Sequence, residues 1–326
     1  MPIRQQDELT NPLVSVIIPS LNAGPAFTEL LEKLNDQTLR PHEIIVVDSS
    51  SEDGTLELAH QAGAKTINVL RSEFDHGGTR NFAASNAIGD ILVFMTQDAV
   101  PCNERMLEAL VAPIVADASV SSAYARQVAY PQASLPERLA REGNYPQQST
   151  IKSKADVERL GIKTFFCSNV CSAIRRDVFN EMGRFPAPVI FNEDLFMAAK
   201  CIMEGGYKVA YAADAAVYHS HDYTIRQQFR RYFDNGVSMR MNEWILRYSA
   251  VGRAGTGLLR KQLSGLWAGR SWYLIPKLIL ETAAKLVGYK LGQHYHRLPK
   301  ALCRRFSMHK QIWLSLETRQ ERSLGQ

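Results

Sequence analysis

An α/β fold built on a largely parallel sheet is predicted by three features of the first hundred residues. Continuous apolar, β-branched runs recur at residues 13–18 (LVSVII), 43–47 (EIIVV) and 91–95 (ILVFM). Runs of this length and apolarity suit strands buried on both faces. Between the first two, Phe27, Leu30, Leu31 and Leu34 recur at helical spacing, as a helix packed on a sheet requires. Each run ends in polar residues, at 19–22, 48–53 and 96–98. In sheets wound by right-handed crossovers, ligands bind beyond such carboxyl ends.

The remaining elements follow in order. Leu56 and Ala59 mark a second helix, residues 66–70 a weaker strand, and residues 78–87 a third helix. Residues 119–129 read as strand. Residues 131–160, rich in Pro, Gln, Ser and charge, read as a loop region. A strand is expected over 164–174, a helix over 194–203, and short strands over 207–212 and 215–218. From Ile225 the chain turns helical and basic. The expected division is therefore a sheet domain over 1–224 and a basic helical region over 225–326.

Composition narrows the class. At 326 residues, 45% hydrophobic and 22% charged, the chain has the balance of a folded globular protein with a sizeable core. The cysteines Cys102, Cys167, Cys171, Cys201 and Cys303 are odd in number and sparse. No second pair joins Cys167 and Cys171 to make a zinc site, so reduced thiols of a cytosolic protein are expected. The first residues lack the apolar core of a signal peptide, and no run approaches the ~18 apolar residues of a spanning helix. A net charge of +5 hides an asymmetry: residues 225–326 hold 19 Lys and Arg against 5 Asp and Glu, a net +14, which leaves −9 for the rest. Such a tail suits an anionic surface. Its aromatic residues Trp267, Trp272 and Tyr273, and apolar residues such as Leu278, Ile279, Leu286 and Val287, favour a membrane interface. No recognition motif accompanies the charge, which argues against nucleic acid.

The polar strand ends carry the candidate chemistry. Pro19, Ser20 and Asn22 follow the first strand. Asp48, Ser50 and Asp53 follow the second, where an Asp can accept from the imide N–H of a pyrimidine; Asp53 and Thr55 equally suit a helix cap. In FDHGGTRN, Gly77 and Gly78 permit close backbone approach to a ligand, and the planar fork of Arg80 matches phosphate oxygens. Gln97 and Asp98 follow the fourth strand, and Glu193 and Asp194 open an apolar-faced helix. His219 and His221 close the last short strand.

The pattern VSVIIPSLN followed by IIVVDSSSEDGT resembles glycosyltransferase family 2, and the resemblance extends over roughly residues 13–221. It implies the GT-A fold, a nucleotide-binding sheet with helices on both faces. It places Pro19, Ser20, Asn22, Asp48, Ser50 and Asp53 about the nucleotide of a sugar donor, with Gly77, Gly78, Arg80, Asn81, Gln97 and Asp98 completing the donor site. The family usually has Asp-x-Asp after the fourth strand, binding Mg²⁺ or Mn²⁺ on the diphosphate. Here Thr96 takes the first position and Asp98 keeps the second. One carboxylate plus substrate oxygens can hold such a hard cation, and His219, in preference to His221, would complete the site. The family's base lies in an acidic pair like Glu193-Asp194, and Asp194 is expected to take the acceptor proton. The FDHGGTRN and QDA stretches look like those of bacterial rhamnosyltransferases that use dTDP-L-rhamnose. The implied activity is an inverting transfer from dTDP-β-L-rhamnose to a glycan or polyprenyl-linked acceptor in surface polysaccharide synthesis, at the inner face of the cell membrane. Another nucleotide sugar (galactofuranose, glucose or mannose), or a non-catalytic relative, are the alternatives. A nucleotidyltransferase is disfavoured, because PSLNAG is not a Gly-rich, basic phosphate loop.

Overall fold

The computed structural model describes residues 11–249 and 254–313. The strands are β1 (Val14–Ser20), β2 (Glu43–Asp48), β3 (Lys65–Asn68), β4 (Ile91–Met95), β5 (Val100–Pro101), β6 (Val120–Val128), β7 (Thr150–Lys152), β8 (Cys171–Arg175) and β9 (Lys208–Tyr218). They form one sheet in the order β3-β2-β1-β4-β8-β6-β9-β5, with β7 paired to β9. The β3-β2-β1-β4 half is parallel. The sheet becomes mixed at β8, which runs antiparallel to both β4 and β6.

The helices are α1 (Ala26–Asn35), α2 (Thr55–Gln61), α3 (His76–Ser85), α4 (Met106–Ala116), α5 (Leu135–Asn144), α6 (Val157–Leu160), α7 (Arg176–Glu181), α8 (Glu193–Met203), α9 (Ile225–Met241), α10 (Ala254–Ala268), α11 (Ile275–Gln293) and α12 (Lys300–Phe306). Strand alternation assigns β1 to two cores. Val14, Val16 and Ile18 pack with α1 and α4, while Ile17 packs with Ala83 of α3 and Val178 and Phe179 of α7. Both faces of the central strands are thus dry, which is why their sequences are continuously apolar.

Three expectations need correction. Residues 131–160 are not a structureless loop: they hold α5, β7 and α6. Polar as it is, α5 is covered by α10. A Cβ on Gly143 or Gly265 would meet Leu258 or Leu139 at 2.5 and 2.8 Å, and the Gln262 amide donates to the Pro136 carbonyl. Of 164–174, only Cys171–Arg175 is strand, the segment before it being a 3₁₀ turn over Gly161–Phe165. The two short strands near 210 are one, β9, whose pairing with β6 shifts register between Ala125 and Arg126.

Residues beyond 224 share cores with those before it. Phe233 and Val237 of α9 pack with Ile190, Cys303, Ile312 and Trp313, and Met239 packs with Phe196 and Tyr211. The Ser238 hydroxyl donates to the Phe191 carbonyl and the Asn235 amide to Asn192 Oδ1. α11 lies close against α9 because glycines line the seam. A Cβ on Gly236, Gly288 or Gly292 would stand 2.2, 2.4 or 2.1 Å from a carbonyl oxygen of the facing helix. Among the described residues no helix is long and apolar enough to cross a membrane.

Candidate active site

A cleft of about 820 Å³ opens beyond the carboxyl ends of β1, β2 and β4. Of the expected residues, Pro19, Ser20, Arg80, Gln97, Asp98, Glu193, Asp194, His219 and His221 line it.

The acidic pair sits at the start of α8. Glu193 is 5% exposed and lies 3.3 Å from the equally buried Arg80 guanidinium. Asp194 is more open to the cleft. Asn169, in the loop before β8, holds both acids: its N–H donates to Asp194 Oδ2 (2.9 Å) and its side-chain amide to Glu193 Oε1 (3.0 Å). The Leu195 N–H donates to Asp194 Oδ1 (2.8 Å). Burial and then the Glu193 charge raise the Asp194 carboxyl to about 7, against the pull of these N–H groups and Arg80. A carboxylate raised in this way is a better proton acceptor than an exposed one. Arg80 also donates to the His76 carbonyl (2.9 Å), so its charge is engaged by Glu193 rather than free in the cleft.

Asp98, His219 and His221 line the same cleft. Their candidate ligand atoms are all within 4.8 Å of one another. His221 Nε2 is 3.0 Å from Asp98 Oδ2, His219 Nε2 3.6 Å from the same oxygen, and the two Nε2 atoms are 3.1 Å apart. Strand pairing explains the convergence: β5 follows Asp98 and pairs with β9, Val100 opposite Tyr218. Burial pulls His219 down to about 3, so it is a neutral imidazole. Its Nδ1 faces Gln127 Oε1 at 3.0 Å. Arg141 donates to that same oxygen, which fixes it as an acceptor and puts the imidazole proton on Nδ1. The His219 Nε2 lone pair is therefore turned toward Asp98, the arrangement of a ligating histidine with its supporting partner. Burial, the largest single influence, would raise Asp98, but the hydrogen bond from His221, together with the influence of His219 and Thr96, outweighs it and holds the carboxyl below its usual range. Two imidazoles and one carboxylate fit a divalent cation that takes its remaining oxygens from a substrate.

Several expected donor residues are not among those that line the cleft, and their polar groups are engaged in the loops around it. Asp48 is 1% exposed and accepts from the Ser20 hydroxyl (3.3 Å) and the Ser51 N–H (2.8 Å). Asn22 accepts from the Glu52 N–H, and Asp53 from the N–H groups of Gly24 and Thr55, joining the first two loops. The Ser50 hydroxyl donates to the Val69 carbonyl, and Asn81 exchanges hydrogen bonds with the Phe185 backbone. Gly77 and Gly78 are small for internal reasons. A Cβ would lie 2.0 Å from the Pro186 carbonyl in one and 2.3 Å from the Asp75 carboxylate in the other. Asp75 caps α3, accepting from both glycine N–H groups. Gln97 lines the cleft, but its amide pairs with the Leu21 N–H and carbonyl.

Sequence reasoning missed Asn169, Gln127 and Ser49, the last buried at the cleft with an unpartnered hydroxyl. It also missed Tyr223, Arg230, Arg231 and residues 308–312 as cleft wall. Asn169, a lone amide in an otherwise apolar and small-residue stretch, is the one that carried a signal.

The chain matches the model of glycosyl transferase family 2 over residues 15–183 and that of glycosyl transferase family group 2 over 148–289. It is 41% identical over 307 residues to the O-antigen chain rhamnosyltransferase RfbN of Salmonella typhimurium, covering 93% of this chain and 97% of that protein. It is 42% identical over 309 residues to the O-antigen chain rhamnosyltransferase WbaN of Salmonella anatum, covering 94% and 97%. Among solved structures, a mannosyltransferase from Pyrobaculum calidifontis in complex with GDP-Man and Mn²⁺ superposes with a TM-score of 0.54 at 20% identity, covering 94% of this chain and 86% of that one. S. aureus TarS in complex with UDP-GlcNAc gives 0.53 at 17% identity, covering 87% and 91%. These structures share the GT-A fold seen here, and with the family match over most of the sheet and the near full-length relatives, they leave one conclusion: the chain is a glycosyltransferase that belongs to family 2.

Proposed function

We propose that this enzyme transfers L-rhamnose from dTDP-β-L-rhamnose, with inversion, to a glycan or polyprenyl-linked acceptor in O-antigen synthesis. The observation that carries the reading is identity of 41% to an O-antigen chain rhamnosyltransferase, sustained over 93% of this chain. In the proposed reaction an acceptor hydroxyl oxygen attacks the anomeric carbon. Asp194 takes its proton, and the bond from that carbon to the diphosphate oxygen breaks, releasing dTDP. Asn169 and the Leu195 N–H fix the Asp194 carboxylate for this role, and the charge of Glu193, held beside it by Arg80, keeps it basic. Asp98, His219 and His221 would hold a divalent cation, Mg²⁺ or Mn²⁺. Such a cation, when bound, stabilises charge developing on the leaving diphosphate. Pro19, Ser20, Ser49 and Gln97 would face the donor, while Asn22, Asp48, Ser50, Asp53, Gly77, Gly78 and Asn81 act by shaping its loops. Transfer assayed over a panel of dTDP-, UDP- and GDP-sugars tests the donor: preference for a UDP- or GDP-hexose would overturn the rhamnose reading.

The region from 225 is proposed to seat the enzyme on the inner face of the cell membrane. Trp267, Trp272 and Tyr273 are 73%, 64% and 65% exposed, and Ile279, Leu280, Leu286 and Val287 are all more than half exposed. Apolar exposure on this scale among basic residues suits an anionic lipid interface.

A further inference from the structure

One wall of the cleft comes from the far end of the described chain, beyond both family-model matches. Asp234 of α9, wholly buried, accepts through Oδ2 from the N–H groups of Met308 (2.7 Å) and His309 (3.1 Å). Ile312 and Trp313 are buried against Phe233 and Val237. The segment between is therefore pinned on both sides, with Lys310 and Gln311 left exposed in the cleft lining. The His309 ring meets His76 and Phe191 edge-on, at 4.8 and 5.1 Å between centroids, and seals the wall to the body of the enzyme.

Arg230 and Arg231 line the cleft beside Lys310. The Arg231 guanidinium lies over the rings of Phe191 (5.0 Å) and Tyr223 (5.6 Å), which orient it while leaving its hydrogen-bond fork free of carboxylates. Among the described residues none of the three cations forms an ion pair, unlike Arg80 and Arg141 in the same region. Three cations lining one concave surface without an ion pair, Arg230 being also within the field of the Asp234 carboxylate, concentrate a field that attracts anions. Guanidinium and ammonium groups on such a surface match phosphate oxygens.

We propose that Arg230, Arg231 and Lys310 form a diphosphate-binding site, and that the Asp234-pinned segment 308–312 is part of the substrate site. This rests on the glycosyltransfer reading for the source of the diphosphate, either the sugar-nucleotide donor or the carrier lipid of the acceptor. Lys310 reaches the cleft from the turn that leads into helical residues 312 and 313, held by the Asp234 carboxylate on one side and by the buried Ile312 and Trp313 on the other.

The test measures binding of inorganic pyrophosphate and of dTDP to the full chain by calorimetry, in EDTA so that the Asp98–histidine group adds nothing. Lys310→Gln, at an exposed position, should weaken pyrophosphate binding roughly tenfold, the scale of a lost charge-assisted hydrogen bond. Arg231→Gln should do the same, and Asp234→Ala should reproduce the loss with its helical circular dichroism intact. If dTDP affinity falls in parallel and donor KM rises, the diphosphate is the donor's. If dTDP affinity holds and the KM of a lipid-diphosphate acceptor rises, it is the acceptor's. Wild-type protein that fails to bind pyrophosphate, or equal affinity in wild type and both charge variants, would overturn the proposal. The reading of the enzyme as a rhamnosyltransferase fails separately, in the donor panel, whatever the pyrophosphate result.

Discussion

Glu193 and Asp194 are adjacent acids with opposite surroundings. Glu193 is spent on Arg80, while Asp194 faces the cleft with N–H groups on both oxygens. Asp194→Asn should leave donor binding by calorimetry within a few-fold of wild type and lower turnover about 10²–10⁴-fold, the range for general-base catalysis; near-normal turnover would exclude Asp194 as base. Because burial and the Glu193 charge raise its carboxyl well above the ordinary carboxylate range, a base at Asp194 loses its charge at a correspondingly higher pH. The rate should therefore fall on the acid side with a midpoint far above the ordinary carboxylate range. Glu193→Gln removes a charge that raises Asp194, so its pH–rate profile should shift to lower pH. An unmoved acid limb would detach Glu193 from the titration. The sign for stability is opposite to that for rate: a folded-state value above the unfolded one favours the protonated fold, so this group's contribution is full at low pH and is lost as pH rises toward 7. At the Asp98–histidine group, EDTA should abolish transfer and Mg²⁺ or Mn²⁺ restore it, with Asp98→Ala more damaging than His219→Ala because His221 still stands beside Asp98. Full activity in excess chelator would leave the leaving group to cationic side chains alone.

At the scale of elements, the α9–α11 seam shows how closely the basic region is built onto the enzyme. Gly292 faces the Phe233 carbonyl where a Cβ would stand 2.1 Å away, and backbone cannot yield as a side-chain tip can. Gly292→Ala should cost about 1–3 kcal/mol, the usual scale of overpacking, read from the midpoint of chemical denaturation. Because Phe233 neighbours Asp234, the same variant should also loosen segment 308–312 toward exchange of the Met308 and His309 amides. An unchanged midpoint would mean that the helices move apart without cost. Helix positions were legible from apolar spacing for α1, α8 and much of α11. They were not legible for α5, four of whose ten residues are charged and whose cover, α10, lies far away in the chain.

For the whole molecule, the charge asymmetry and the exposed aromatic residues support one proposed property, association with an anionic membrane surface. Sedimentation with vesicles should show the protein bound to anionic lipid and less so to neutral lipid. Binding should weaken with salt, since the screening length shrinks to ~8 Å near physiological ionic strength. Folded protein that stays in the supernatant with both lipids would reject the membrane role.

What the sequence by itself determined was whatever is written in a local window. Apolar runs mark β1, β2 and β4, and polar residues at their ends mark the cleft. QDA, the Glu193-Asp194 pair and the two histidines mark its chemistry. Tertiary structure decided which of these side chains face the cleft and which support it. Asp48 and Asn81 have the residue types of ligands, but Asp48 is taken up by Ser20 and by Ser51 of its own loop, and Asn81 by the Phe185 backbone. Asn169 gains its meaning from acids 24 and 25 residues away, Gln127 from a histidine 92 away, and Asp234 from N–H groups 74 and 75 away. Periodicity and capping are short-range signals. A buried polar group finds its partner wherever the folded backbone brings one within reach, and that distance is set by the packing of the sheet and helices as a whole.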